Sequence, residues 1–353
     1  MRMPRFSYRS GETTIGMTQT AAPAIFLHSA FRSASTWFWS RFRALPGTLA
    51  YYEPFHEMKG SLTPEHIAHD RPDIWASGHG YLAEPYNQEY LDLLAPAGGV
   101  PFYQERFAYD DYYAPPDDRH HRYIEALVDH AGHLNKVPVF GFTRSLGRAA
   151  WMAKRYPGLH VVTLRDPWDL WASVVEQSAR GNTYFDFRFY LLAAIASHHA
   201  EHRAFFDGLS LPRPSGETPR RTMDFVHHFF RATPAKPRFR AFLRLYMLDN
   251  LLALPNADVI VDMDRLSGET AYRQATTAEL RRKTGFAGLD FEQCAMPRHP
   301  PEADLGYRVA LAEALTVLDR LAPADNRGAP ILRAKLEDAL RRFARGPASN
   351  QAT

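Results

Sequence analysis

The stretch that most constrains this chain runs from Ala24 to Leu45. It opens on Ala24-Ile25-Phe26-Leu27-His28, an apolar run of strand length. A small-residue turn follows, carrying Arg32, Ser33, Ser35 and Thr36. Phe38, Phe42 and Leu45 then recur at i, i+4 and i+7, the spacing of one helix face, and Pro46-Gly47 ends the run. A strand, a polar loop and a helix in that order suit an anion. The loop N–H groups and the helix N-terminus point at one place, and Arg32 and the hydroxyls add charge and donors there. An ordinary core helix behind a buried strand carries the same pattern.

Strand and helix signals then alternate along the chain. Thr48–Tyr52 reads as a second strand, and Pro54 cannot continue a central one, so Glu53 falls at a strand's carboxyl end. In open α/β sheets that edge binds ligands, which makes Glu53 a candidate general base and His56 its competitor. Val137–Phe142 and Leu159–Leu164 read as buried strands joined by a helix, a βαβ unit. Asp166 then suits a helix N-cap and Pro167 the first helical position, which places Arg165 at a strand end and Ser173 about two turns along the helix. Ala257–Asp262 supplies a fifth strand. The pattern predicts an α/β domain of three layers, with a central, mainly parallel sheet of about five strands flanked by helices.

The domain is expected over residues 21–345, between a disordered leader at 1–20 and a disordered tail at 346–353, with Met17 as an alternative start. A Pro- and Arg-rich stretch at about 207–240 reads as an exposed insertion with an amphipathic piece at Phe225–Phe230. Residues 59–129 are rich in aromatics, Pro and Asp and read either as a lid or as a layer packed on the core. Further helices are expected at Ile124–Leu134, Phe239–Leu254, Thr276–Thr284, Leu305–Leu321 and Ile331–Phe343, and a long helical region at Tyr184–Phe206.

A net charge of +3 suits a small anionic ligand and is too weak to argue for nucleic acid. The basic residues are mostly Arg, whose fork fits phosphate and sulfate oxygens. The lone Cys294 excludes an internal disulfide and fits a reducing, cytoplasmic setting. No run of about 18 apolar residues is present, so no membrane span is expected.

The run Arg32-Ser33-Ala34-Ser35-Thr36-Trp37 resembles the 5′-phosphosulfate loop of the sulfotransferase family, and Arg165 with Ser173, eight positions on, resembles that family's 3′-phosphate motif. The Glu-Pro step at Glu53 is similar to the carbohydrate and bacterial branches, in which a nearby carboxylate or His is the base. The resemblance implies a P-loop-like fold. It further implies 3′-phosphoadenosine 5′-phosphosulfate (PAPS) as sulfuryl donor, no required metal, and a small-molecule or glycan acceptor with a hydroxyl group. It gives Trp37 an adenine-stacking role and Arg298, in Pro297-Arg298-His299-Pro300, a place in a basic loop over the nucleotide. Two departures stand out: the usual Arg-Lys-Gly triplet of that loop is missing, and Ala34 replaces the usual Gly. If that position needs a positive φ, Ala costs about 1 kcal/mol.

Two other readings remain open. A nucleotide-binding protein without catalysis shares every feature above. His198-His199-Ala200-Glu201-His202 matches H-x-x-E-H, which on a helix would bring His198 and His202 to one face as in a zinc hydrolase. The absence of G-x-x-x-x-G-K-[ST] disfavours an ATP- or GTP-dependent P-loop enzyme.

Overall fold

The computed structural model describes residues 24–70, 82, 84–114, 117–213, 219–302 and 304–344. The expected leader and tail, and parts of the segments at 59–129 and 207–240, lie outside the described residues. The first half of the chain forms β1 (Ala24–His28), α1 (Ser35–Arg43), β2 (Thr48–Tyr52), α2 (Pro64–His69), α3 (Asp118–His133), β3 (Val137–Phe142), α4 (Ala149–Arg155) and β4 (Gly158–Leu164). Then come α5 (Pro167–Ala179), α6 (Tyr184–Ala196), α7 (Pro219–Ala232), α8 (Ala235–Ala253), β5 (Val259–Asp262), α9 (Met263–Gly268), α10 (Thr270–Thr284), α11 (Leu305–Leu321) and α12 (Ala329–Ala344).

The five strands form one sheet in the order β2-β3-β1-β4-β5, and every pairing is parallel. From β1 the chain crosses to the edge strand β2, returns to β3 beside β1, and then passes over β1 to β4 and β5, so the carboxyl end of β1 lies where the winding reverses. That is where open α/β sheets take ligands.

Side chains alternate across the sheet with period two. Ile25, Leu27, Val139, Val161 and Val261 face α1, α9 and α10 through Trp39, Phe42, Leu266 and Leu280. Gly141 permits this contact, because a Cβ there would lie 2.6 Å from the Trp39 ring. Phe26, Tyr51, Phe140 and Phe142 face the other way, against Tyr123, Ile124 and Leu127 of α3 and Met152 of α4. Helices on both faces make the three layers. A second core, around Trp168, Trp171, Phe239 and Phe242, joins α5, α6, α8, α11 and α12. None of the described helices is long and apolar enough to cross a membrane.

Two helical expectations change. The helix from Tyr184 ends at Ala196, and His198–His202 lies in turns, so no i, i+4 face is formed there. The stretch read as an exposed insertion contains α7, which buries Val226 and Phe230 in the second core.

A row of rings crosses β2, β3, β1 and β4: Tyr51 on Phe140, Phe140 on Phe26, and Phe26 on His160, with centroids 5.5, 5.1 and 4.6 Å apart. His160 begins a buried hydrogen-bond chain. Its Nε2 lies 3.1 Å from the Tyr156 carbonyl, its Nδ1 3.1 Å from His28 Nε2, and His28 Nδ1 2.8 Å from Ser145 Oγ. A carbonyl only accepts, so with both rings neutral His160 donates to Tyr156, His28 donates to His160, and Ser145 donates to His28.

Burial holds both imidazoles below their ordinary range, His28 well below it with His160 adding to the effect. The unfolded chain therefore binds protons that the folded chain refuses. Stability is full above about pH 6.5 and falls as the pH drops, by up to about 1.4 kcal/mol per pH unit for each such histidine. Thermal melts at pH 7, 6 and 5 are expected to show a falling midpoint; a flat profile would mean that the two rings take up protons in place.

Candidate functional site

Each of the first four strands in sheet order delivers a charged residue to the same edge. Glu53 follows β2, Arg144 lies two residues past β3, Arg32 stands in the loop after β1, and Arg165 follows β4. The Arg32 loop is tightly wound. Ser33 Oγ donates to the Ala30 carbonyl at 2.7 Å, and Arg32 and Ala34 both adopt left-handed backbone, with φ of 63° and 62°. Ala34 is the N-cap of α1 and offers no side-chain cap, and the first turn carries no acidic residue. The first N–H groups of α1 are thus left to a ligand or solvent. α5, by contrast, is capped by Asp166, whose Oδ1 accepts from the Trp168 and Asp169 N–H groups.

The two stretches singled out in the sequence meet here. Arg32 Nε donates to Ser173 Oγ at 3.1 Å, and Arg165 Nη1 donates to the Arg32 carbonyl at 2.6 Å. Arg165 Nη2 donates to the Pro297 carbonyl at 2.9 Å, while its Nε is buried with no hydrogen-bond partner. Burial and then the Arg165 charge push the Arg32 guanidinium down to about 10. Burial also lowers Arg165, against the pull of Asp169, Asp264 and Asp166. Two largely buried cations thus lie in one another's field beside an uncapped helix start, a concentration of positive charge at the sheet edge.

Other expected residues fall around this centre. Thr36 Oγ1 lies 3.1 Å from Tyr52 Oη, which ties α1 to the end of β2. Trp37 is half-buried against Phe291, 6.1 Å between centroids, with the Arg41 guanidinium 5.9 Å from its ring. Ser35 opens α1. Arg298 Nη1 donates to Asp169 Oδ2 at 3.1 Å, and its loop is drawn against Arg165 through Pro297.

Glu53 is buried in left-handed backbone, φ 47°, and its Oε2 accepts from Arg144 Nη1 at 3.0 Å and from the Thr143 N–H at 3.1 Å. His56 Nδ1 accepts from the Met58 N–H at 3.1 Å, so in the neutral ring the proton sits on Nε2, 3.4 Å from Tyr184 Oη. Burial is the first cause that pushes His56 down to about 3, and Arg144 adds to it against the pull of Glu57. Sequence reasoning left out the hub around these two. Glu57 accepts from Arg144 at 3.1 Å, from Arg188 at 2.7 Å and from Tyr184 at 3.1 Å, and Arg144 also bonds Tyr109 and Tyr184. Arg144 carried a usable signal, a cation just past a parallel strand. Tyr184 and Arg188 share a face of α6 at i and i+4, but no spacing brings that face to Glu57 and Tyr109. The Arg144 guanidinium lies 5.0 Å from the Phe31 ring, which links the Glu53 hub to the Arg32 loop.

Among the described residues, no group of three or more His, Cys, Asp or Glu is arranged to hold a metal ion. Comparison with protein-family models, with curated proteins and with solved structures finds no match to this chain.

The left-handed Ala34 gives a direct test of the loop. Ala34→Gly removes a strain of about 1–2 kcal/mol and loosens the unfolded chain by about 0.4–1 kcal/mol, so a net gain of roughly 0.5–1 kcal/mol is expected in urea unfolding. Ala34→Val, β-branched at a positive φ, is expected to lose at least about 1 kcal/mol. A loss of stability in the Gly variant would contradict this backbone.

Proposed function

We propose that this protein is a PAPS-dependent sulfotransferase that moves a sulfuryl group to an acceptor hydroxyl. The observation that carries the reading is the junction of Arg32, Arg165 and Ser173 at the uncapped start of α1. The residues suit a doubly phosphorylated nucleotide: a helix N-terminus and Arg32 for one anionic group, and the unpartnered Arg165 Nε with Ser173 for a second. Bound PAPS supplies a sulfuryl group already activated by its phosphate leaving group. In the overall transfer the acceptor oxygen gains the S–O bond, the bond from sulfur to the nucleotide phosphate breaks, and the hydroxyl proton passes to a base.

The chain's own part is electrostatic. Arg32 and the α1 N–H groups stabilise charge on the departing phosphate from fixed positions, at no reorganisation cost. Glu53 is the carboxylate put forward as base; it follows β2, two strands from β1 in the sheet, or roughly 10 Å at parallel-strand spacing. Arg144 and the Thr143 N–H engage its Oε2 and keep its direction fixed. His56 is the weaker candidate, since Nδ1 is engaged and Nε2 carries the proton in the neutral ring.

The product nucleotide, 3′-phosphoadenosine 5′-phosphate (PAP), binds only the folded state on this reading, so it should raise the melting temperature. Arg165→Ala should weaken PAP far more than adenosine 5′-phosphosulfate, which lacks the 3′-phosphate; equal losses would remove Arg165 from the 3′-phosphate site. PAP binding without turnover across a panel of hydroxyl acceptors would instead identify a nucleotide-binding protein.

Glu53→Gln keeps the shape and removes the basicity, so kcat should fall by about 10²–10⁴-fold with PAP affinity intact. His56→Asn should cost much less. The reverse order of damage would transfer the base to His56.

A further inference from the structure

The segment at 297–300 has no regular secondary structure, yet it is tied down at every residue. The Pro297 carbonyl accepts from Arg165, Arg298 donates to Asp169, the His299 N–H donates to Asp169 Oδ1 at 2.7 Å, and the Pro300 carbonyl accepts from Trp168 Nε1 at 3.1 Å. One further side chain spans these ties. Arg342, in the last turn of α12, donates through Nη2 to the His299 carbonyl at 2.6 Å and to Asp169 Oδ1 at 3.1 Å. Its Nη1 lies 2.9 Å from both Asp169 Oδ2 and Asp166 Oδ2.

We infer that Arg342 is a positioning residue for the anion site, holding the 297–300 segment against Arg165 from 43 residues beyond His299 along the chain. This rests on the reading of Arg165 as a 3′-phosphate ligand. The geometry is a relay of short bonds. Arg342 fixes the His299 carbonyl, the segment places the Pro297 carbonyl, and that carbonyl with the Arg32 carbonyl holds both terminal nitrogens of Arg165. Nε is then the nitrogen left for a ligand, at a set angle. Arg342 also holds the Asp166 cap that starts α5, the helix carrying Ser173. The bidentate grip on Asp169 is one that Lys cannot reproduce. Burial alone would raise the Asp169 carboxyl, but the bonds from Arg342 and the His299 N–H hold it below its ordinary value, so the anchor stays ionised at neutral pH.

The test uses the full chain with Arg342→Gln, and with Arg342→Lys should the first variant not fold. Hydrogen exchange is read at the amides of 298 and 299, and affinity is read for PAP and for adenosine 5′-phosphate, which lacks the 3′-phosphate. The His299 amide should exchange about tenfold faster while β1 and β4 keep their protection, and the preference for PAP should fall about tenfold, the size of one charge-assisted hydrogen bond. A lower melting temperature with an unchanged PAP preference would reduce Arg342 to a structural tie and overturn the inference. So would faster exchange without a change in preference. If the unaltered protein binds no PAP, the sulfotransferase reading fails together with the inference. Exchange at His299 then still reports whether the tie exists, so the two failures are told apart.

Discussion

The structure depends on a meeting of like charges. A parallel sheet sends every strand's carboxyl end to one edge, and here the two central ends bring Arg32 and Arg165 into one another's field. The flanks of that edge are neutralised. On one side Glu53 and Glu57 pair with Arg144 and Arg188. On the other, Asp166, Asp169, Asp262 and Asp264 pair with Arg298, Arg342 and Lys335. Arg165 donates to two carbonyl oxygens and to no carboxylate among the described residues. A buried guanidinium held by neutral acceptors is costly, and an anionic ligand relieves that cost. The carboxylate networks on either side keep the arginines in place without quenching the centre.

The edge also stores backbone strain. Five non-glycine residues have positive φ among those described, and Arg32, Ala34 and Glu53 are three of them. Each sits just past a strand that the sheet holds rigid. Conformations of this kind persist only where the surroundings over-determine them, and they cluster where geometry serves binding. At Ala34 the strain has a plain effect: the turn aims the start of α1 back over the end of β1.

Much of the fold was legible because it rests on local patterns. Five apolar runs of strand length, separated by helical periods, forced a parallel sheet, and the observed strands fall on those runs. Asp166-Pro167 announced the start of α5 through local chemistry alone, a capping carboxylate followed by a residue whose φ is already helical. Arg32 and Arg165 could be placed together because strand ends share an edge, while Ser173, two turns into α5, was drawn in only by the resemblance of its spacing from Arg165. The Glu57 hub could not be read, since Tyr109, Arg144, Tyr184 and Arg188 converge only after the helical layer packs. The His198–His202 segment misled through its spacing: a five-residue pattern carries no information about where a helix stops, and α6 stops at Ala196. The stretch near 207–240 read as an exposed insertion with a short amphipathic piece at Phe225–Phe230; its Pro- and Arg-rich flanks masked the full length of α7, which buries Val226 and Phe230.

The hydrogen-bond chain from Ser145 through His28 and His160 to Tyr156 bears on how this lineage can change. Its donors and acceptors run in one direction, so replacing a single histidine by an apolar residue strands a buried partner, at roughly 1–3 kcal/mol. Replacing Ser145, His28 and His160 together by apolar groups of similar shape leaves only the Tyr156 carbonyl without its donor and costs less than stranding a partner at each link. The three positions, on β1, on β4 and in the loop after β3, therefore form one heritable unit. Between two stable versions of this core lies a valley of single substitutions, and divergence across it proceeds by paired replacements or waits on stabilising changes elsewhere.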